Sequence, residues 1–456
     1  MVSVSKQVVE SIPVFVTFGS AILSSFSTFS KPRQNGAFYL LGTMALFLLF
    51  FFFRSGFIVG SDTGRLIGFS FDRFSLFVGS IFFVSLLMGL FPIRKGLNLG
   101  PSFLYFVAGG IGIILADNLL TFFLFWAFQR SLPCWRFLIN LRRDGISVGG
   151  TYIVQHLLTS LCFLALVWLS FDAGYLNTSF SDIPFSFFKL PVLILAFIII
   201  YESHGIFPFH SWVHDLVDNL KWYEISALFL SRGGVLLFVK FLMPTLNQDP
   251  DFYRTLLLSF SIFSSIYWTF IGIFETKVTK ATTYFYIAQS SLILTALQAD
   301  LTAARGAYLH LMVISLSGTA LWSLLSYVQV HTSIKHFNQF YGLARFYPRL
   351  ATLFCLFGFC MIGVPLGASF VVEDLVITGL LETHPFLGLG HILATCLNGI
   401  LFFLVFSKIF LGRSPFVESP KNLDMGIGQM APYVIILAIM IAIGIVPSIF
   451  LERIQW

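Results

Sequence analysis

Leu190-Pro-Val-Leu-Ile-Leu-Ala-Phe-Ile-Ile-Ile-Tyr-Glu-Ser-His-Gly-Ile-Phe-Pro-Phe-His210 is the stretch that decides the fold. From Leu190 to Tyr201 it carries no charged residue, and then Glu202, His204, Gly205 and Pro208 follow within a few positions. A bilayer core of ~30 Å needs about 20 predominantly apolar residues in a helix, and the window 189–207 is long enough to span it. Glycine and proline at that depth free backbone groups, which is tolerated only where neighbouring helices or water satisfy them. In transporters, discontinuous helices of this kind mark ion pathways and accompany inverted repeats. A second interruption, Gly363-Val-Pro-Leu-Gly367, falls inside another apolar window. The pattern predicts an all-α polytopic membrane protein with two broken helices and inverted repeats.

Extending the same window along the chain gives about 14 spans. They lie near 11–30, 36–53, 73–93, 101–116, 118–140, 150–171, 189–207, 222–243, 255–274, 282–298, 306–329, 350–377, 386–411 and 431–451. The connections are short, leaving no room for a flavin or nucleotide fold, so residues 1–456 read as a single transmembrane domain. The N-terminal stretch Met1 to Phe15 shows no Arg-rich presequence and is expected to enter its first span directly. Composition agrees. Apolar residues make up 57% and charged residues 11% of the chain, with a mean hydropathy of +0.88, where a soluble domain carries about 25% charged residues. The net charge of +6 is spread through short loops, which bears on orientation in the membrane and argues against a nucleic-acid partner.

Cys134, Cys162, Cys355, Cys360 and Cys396 form no CxxC pair and read as small buried hydrophobes. That spacing excludes a thiolate iron–sulfur cluster within this chain. Gly109-Gly110-Ile-Gly112 has no strand before it, so it reads as close helix packing rather than a phosphate loop. Phenylalanine accounts for 57 of 456 residues, and its A+T-rich codons hint at an organellar gene.

Several segments carry a resemblance. Thr276 to Gln289, Arg305-Gly-Ala307, Gly318-Thr-Ala-Leu321, Asn338-Gln-Phe-Tyr-Gly342 and Ile362 to Glu373 can be followed in order for about a hundred residues, the last being similar to IGLPGTSGFVGE. Phe406-Ser-Lys408-Ile-Phe-Leu-Gly412 continues it. Upstream, Asp117 to Trp126, Phe207-Pro-Phe-His-Ser-Trp212 (similar to FPFHTWLP) and Arg232 to Lys240 belong to the same pattern. Together they resemble the fourth NADH dehydrogenase subunit of mitochondrial complex I, a family related to cation/proton antiporters, and this chain looks like a divergent member.

The resemblance implies an antiporter-like fold, with residues 115–412 resembling its proton-translocation core. It further implies a membrane-arm subunit of NADH:ubiquinone oxidoreductase in the mitochondrial inner membrane, taking part in proton translocation. Other membrane-arm subunits, sister antiporter-like subunits and lipids would be its partners. No cofactor is expected in this chain; FMN and iron–sulfur clusters would sit in partner subunits, and redox chemistry with them. Two alternatives stay open: the same subunit as a structural spacer with an interrupted proton path, and a subunit of a Na⁺/H⁺ antiporter complex.

Such a family moves protons along a mid-membrane row of ionisable groups, each costing at least ~2.5–3.5 kcal/mol at the bilayer centre. Glu373 falls on the family's exit-side acid, with a capped helix end as the other reading, favoured by adjacent Asp374. Elsewhere the chain departs from the pattern. The expected glutamate falls on Ala127, with Arg130 one turn along. The expected lysines fall on Ser203, flanked by Glu202 and His204, and on Ser231, followed by Arg232. The expected histidines fall on Gln289 and Ile314, with His310 one turn from the latter.

The candidate relay residues are therefore Glu373, His210, His204, Arg232, Glu202, Lys408 and His310. Arginine stays charged under all ordinary conditions, so Arg232 is expected to act as a fixed charge, with Glu202 as its partner. Histidine can exchange protons near neutral pH, although His204 can equally cap a broken helix. For Lys408 and Lys240, near helix ends, snorkelling to the interface is the competing account.

Overall fold

The computed structural model describes residues 68–90, 101–144, 149–246, 251–299, 301–332, 334–365, 367–413 and 424–448. Every regular element among them is helical, with only two isolated bridges, Phe69 to Ala116 and Lys277 to His336. The windows 11–30 and 36–53 lie outside the described residues.

The described residues fall into two compact units: 68–83, 101–144, 149–204 and 209–246 in the first, and 84–90, 205–208 and those from 251 onward in the second. Helix α1, Arg73–Leu90, contributes to both. The first unit then contains α2 (Pro101–Leu115), α3 (Leu119–Asp144), α4 (Gly150–Asp172), α5 (Leu190–His204), α6 (Trp212–Asn219), α7 (Trp222–Leu230), α8 (Gly233–Leu237), a π-helical turn Phe238–Leu242, and α9 (Met243–Leu246). The second contains α10 (Asp251–Phe274), α11 (Val278–Ala299), α12 (Leu301–Thr332), α13 (Pro348–Met361), α14 (Ala368–Thr383), α15 (Pro385–Phe410) and α16 (Ile427–Ile445).

Six described helical stretches are long and apolar enough to cross a bilayer. Most windows match their helices to within a few residues, and two do not. Window 350–377 is two helices, because the chain leaves α13 at Met361, turns through Gly363 at φ +69°, and re-enters α14 only at Ala368. Window 222–243 is interrupted too, at Arg232, whose φ of +51° makes it the only described non-glycine residue in the left-handed region. That conformation costs an L-residue roughly 1–2 kcal/mol, so surrounding packing must enforce it.

In the second unit α12 is the axis. The whole hydropathic window of Ala303–Thr332 is buried, and almost every residue of α11 beside it is buried as well. A helix apolar all round belongs inside a larger bundle. Small residues let these helices close up: a Cβ on Gly318 of α12 would overlap the Tyr286 ring of α11, and one on Gly358 would overlap Phe402.

In the first unit Gly109 of α2 would place a Cβ 2.6 Å from Gln129 Cβ, and Gly112 would collide with Phe125 of α3. The Gly109-Gly110-Ile-Gly112 stretch is thus a helix-contact face, as its sequence context predicts. The opposite arrangement is seen on α4. Tyr152, His156, Thr159, Phe163 and Leu166 face inward, while Val154, Leu158, Leu161 and Trp168 are more than half exposed. A face of that kind is at ease against lipid or another membrane subunit.

Candidate functional site

In the first unit the polar groups converge where α5 breaks. The helix ends at His204, and Gly205 at φ +69° turns the chain out. The carbonyls of the last turn therefore lose their helical donors. Arg130, on α3, serves them. Its Nη1 donates to Glu202 Oε1 at 2.8 Å, and its Nη2 to the Ser203 carbonyl at 3.1 Å. The guanidinium lies 4.5 Å from the Trp212 ring centroid and 5.2 Å from that of Trp126, a stacking that favours arginine over lysine. Both indoles are anchored: Trp212 Nε1 donates to the carbonyls of Glu202 and Phe209, and Trp126 Nε1 donates to Ser203 Oγ at 3.0 Å. Pro133 loosens the next turn of α3, where Tyr152 Oη donates to the Arg130 carbonyl at 3.2 Å.

The cation–anion pair of this region is thus Arg130 with Glu202, with the cation on α3 and the acid on α5. The expected partner of Glu202 was Arg232; the guanidinium that holds it comes from another helix. The resemblance puts the acid at Ala127 and the lysine at Ser203. The chain places an ion pair between the same two helices with its polarity reversed, one turn further along α3 and one residue back on α5.

His204 lies at the break with Gly234 directly behind it: a Cβ on Gly234 would sit 2.6 Å from His204 Nδ1 and 2.8 Å from the Ile200 carbonyl. This close approach of α8 to α5 is what requires a glycine at 234. Ser231, where a lysine was expected, donates to Gln129 Oε1 at 3.2 Å, and Gln129 Nε2 donates to the Phe106 carbonyl at 3.0 Å. His210 sits apart on the half-exposed segment before α6, its ring 6.2 Å from that of His214. The side chain of Lys240 is buried, with 6% of it exposed, and Nζ donates to Ser75 Oγ (2.6 Å) and to the Ile114 and Ala116 carbonyls at the end of α2 (3.3 and 3.0 Å), with Asp72 at 3.6 Å.

The second unit holds a different kind of centre. The Glu373 carboxyl of α14 is lodged at the turn between α13 and α14, close enough to Gly363 that a Cβ there would overlap it. The residue is 9% exposed, and its Oε1 has no hydrogen-bond partner among the described residues. A relay through Glu373 needs a second titratable group beside it, and the other candidates in this unit are Lys408 and His310. Measured from the turn between Thr383 and Pro385, Glu373 lies about ten residues down α14 and Lys408 about 23 down α15, which separates them by about 20 Å along the helix axes. Lys408 instead occupies the last turn of α15, its Nζ 5.7 Å from the Phe337 ring centroid, a position suited to the negative end of the helix dipole. His310 is enclosed on α12.

Arg130 is an oddity in the sequence with no role assigned to it, and His156, whose ring is tilted against Trp126 at 5.1 Å between centroids, and His391 are not among the candidates. The signal for all three was the same: a polar side chain in the middle of an apolar window.

A family profile described as NADH:quinone oxidoreductase/Mrp antiporter, transmembrane, matches residues 116–398. The chain is 23% identical over 415 residues to NADH-quinone oxidoreductase subunit M of Buchnera aphidicola subsp. Baizongia pistaciae, covering 84% of this chain and 80% of that one. Its fold is similar to a chain of respiratory complex I from Thermus thermophilus, with a TM-score of 0.80, 17% identity and 96% of both chains covered. It is equally similar to a chain of the Mrp complex from Dietzia sp., with a TM-score of 0.80, 16% identity, and 97% and 96% coverage.

Proposed function

We propose, from the premise that the chain belongs to the NADH:quinone oxidoreductase/Mrp antiporter transmembrane family, that it is a membrane-arm subunit of respiratory NADH:ubiquinone oxidoreductase that carries protons through its second unit. The observation behind this reading is Glu373, a buried carboxyl at a broken helix where a glycine turn makes room for it. An ionisable group at that depth is costly and implies a use. Electron transfer, with FMN and iron–sulfur clusters, is assigned to partner subunits, and sister antiporter-like subunits flank this one. Assignment as the fourth subunit and to the mitochondrial inner membrane is supported by the motif resemblance and by the phenylalanine-rich composition.

The Arg130–Glu202 clamp favours a second reading for the first unit, as a spacer. A guanidinium cannot give up its proton as a lysine can, and here both Nη1 and Nη2 are engaged. The antiporter alternative draws on the equal fold likeness to the Mrp chain. Affinity isolation of the tagged chain from its native membrane in mild detergent distinguishes them. Complex I membership predicts co-purification with flavin- and iron–sulfur-bearing subunits and NADH:quinone activity. Recovery with cation-antiporter polypeptides alone, without NADH oxidation, overturns it.

A further inference from the structure

His391 lies on α15 with 1% of its surface exposed, and neither ring nitrogen has a hydrogen-bond partner among the described residues. A buried imidazole with both nitrogens unsatisfied is rare in native proteins and calls for an explanation. It is not an isolated defect. Among the described residues, Gln289 on α11 lacks partners for both amide atoms and Thr295 for its hydroxyl, and on α14 Ser369 Oγ and Glu373 Oε1 are in the same position.

Neighbouring contacts along α15 fix the level of His391. Gly390 meets Ile262 of α10, Asn398 donates to Ser265, and Phe402 packs on Phe285 of α11 at 5.8 Å. Helix α11 runs antiparallel to α10, with Arg254 bonded to Ala299 at one end and Trp268 stacked on Tyr284 at the other. Both routes put His391 level with the stretch of α11 from Gln289 to Ala296. From the turn between α14 and α15 the backbone of His391 lies about six residues down and that of Glu373 about ten, on helices that pack against each other; the Glu373 carboxyl, against Gly363 and one turn past the Phe359 that packs on Phe402, lies about two turns from His391, roughly 10 Å along the axis.

Unsatisfied polar atoms on three neighbouring helices form a patch that water can bridge, since a buried water makes about three hydrogen bonds to such groups. We infer that His391 is a further proton-carrying residue of the second unit, linked by water to Glu373 on one side and to Gln289 and Thr295 on the other. It would take a proton on one ring nitrogen and release one from the other, passing through the imidazolium and ending as the other neutral tautomer, which a ring flip or a return transfer resets. The inference rests on the proton-carrying reading of Glu373, and its test separates the two.

Whole respiratory complexes carrying His391→Gln, His391→Leu or Glu373→Gln are reconstituted in vesicles, and the protons moved per NADH oxidised are compared with wild type after intact assembly is checked on native gels. Glutamine keeps hydrogen bonding but cannot relay a proton, so a merely structural histidine would tolerate it. The expected result is a lowered ratio in His391→Gln, as large as in Glu373→Gln, and in His391→Leu too. An unchanged ratio in assembled His391→Gln overturns the role of His391, and if Glu373→Gln is lowered, the broader reading survives that failure. If neither ratio changes, both ideas fall. If His391→Leu does not assemble, His391→Gln decides alone.

Discussion

Replacing Arg130 by glutamine would leave Glu202 as a buried acid without its cation. The two side chains are 4% and 1% exposed, so neither can fall back on solvent. Removing one member of a buried pair costs about 3–5 kcal/mol, and the loss of stacking on Trp126 and Trp212 adds about 0.5–2 kcal/mol. That is a large part of a typical total stability of about 5–15 kcal/mol. The double variant Arg130→Gln with Glu202→Gln removes both charges and lets two amides pair, so it should recover much of the loss. A coupling energy near 3 kcal/mol is expected, at the upper end for contacting residues. The assay is a double-mutant cycle on the thermal midpoint of the assembled complex, read by tryptophan fluorescence and native gels. If the two single substitutions add, so that the double variant is the least stable of the four, the clamp does not hold α3 to α5 and the reasoning fails.

Two further outcomes follow from close contacts. Gly363→Ala puts a side chain where φ is +69° and where the Glu373 carboxyl lies; about 1–2 kcal/mol of backbone strain and a displaced carboxyl should leave the complex assembled but pumping fewer protons per electron, measured in vesicles. Lys240→Met strips the donor from Ser75 Oγ and from the Ile114 and Ala116 carbonyls, and it should lower the thermal midpoint by the equivalent of about 1–3 kcal/mol with the proton-to-electron ratio unchanged.

The fold was legible wherever apolar length alone sets a helix. Window 101–116 became Pro101–Leu115 and 150–171 became Gly150–Asp172, because in lipid nothing but a helix satisfies such a backbone. The breaks at Gly205 and Gly363 were legible from glycine and proline at mid-membrane. The break at Arg232 was not, since it depends on Gly234 meeting His204 and on Ser231 meeting Gln129, contacts between distant segments. The site divides the same way. Glu202 and Arg130 stood out as charges in apolar windows, yet their pairing spans 72 positions of sequence and was assigned to the wrong arginine. The partners of Lys240 were not legible because they come from the start of α1 and the end of α2. His391 went unremarked because a histidine on an apolar helix is unremarkable until its neighbours are seen to leave both nitrogens unpaired.

The most direct test of the account is the proton-to-electron ratio of vesicle-reconstituted complex carrying Glu373→Gln. Glutamine keeps the shape and most of the hydrogen bonding of the carboxyl but can neither take nor release a proton. The account predicts intact assembly, slower NADH oxidation and fewer protons moved per electron than in wild type. A wild-type ratio in fully assembled complex, with at most a stability loss of about 0.5–3 kcal/mol, would contradict it and leave the chain a spacer.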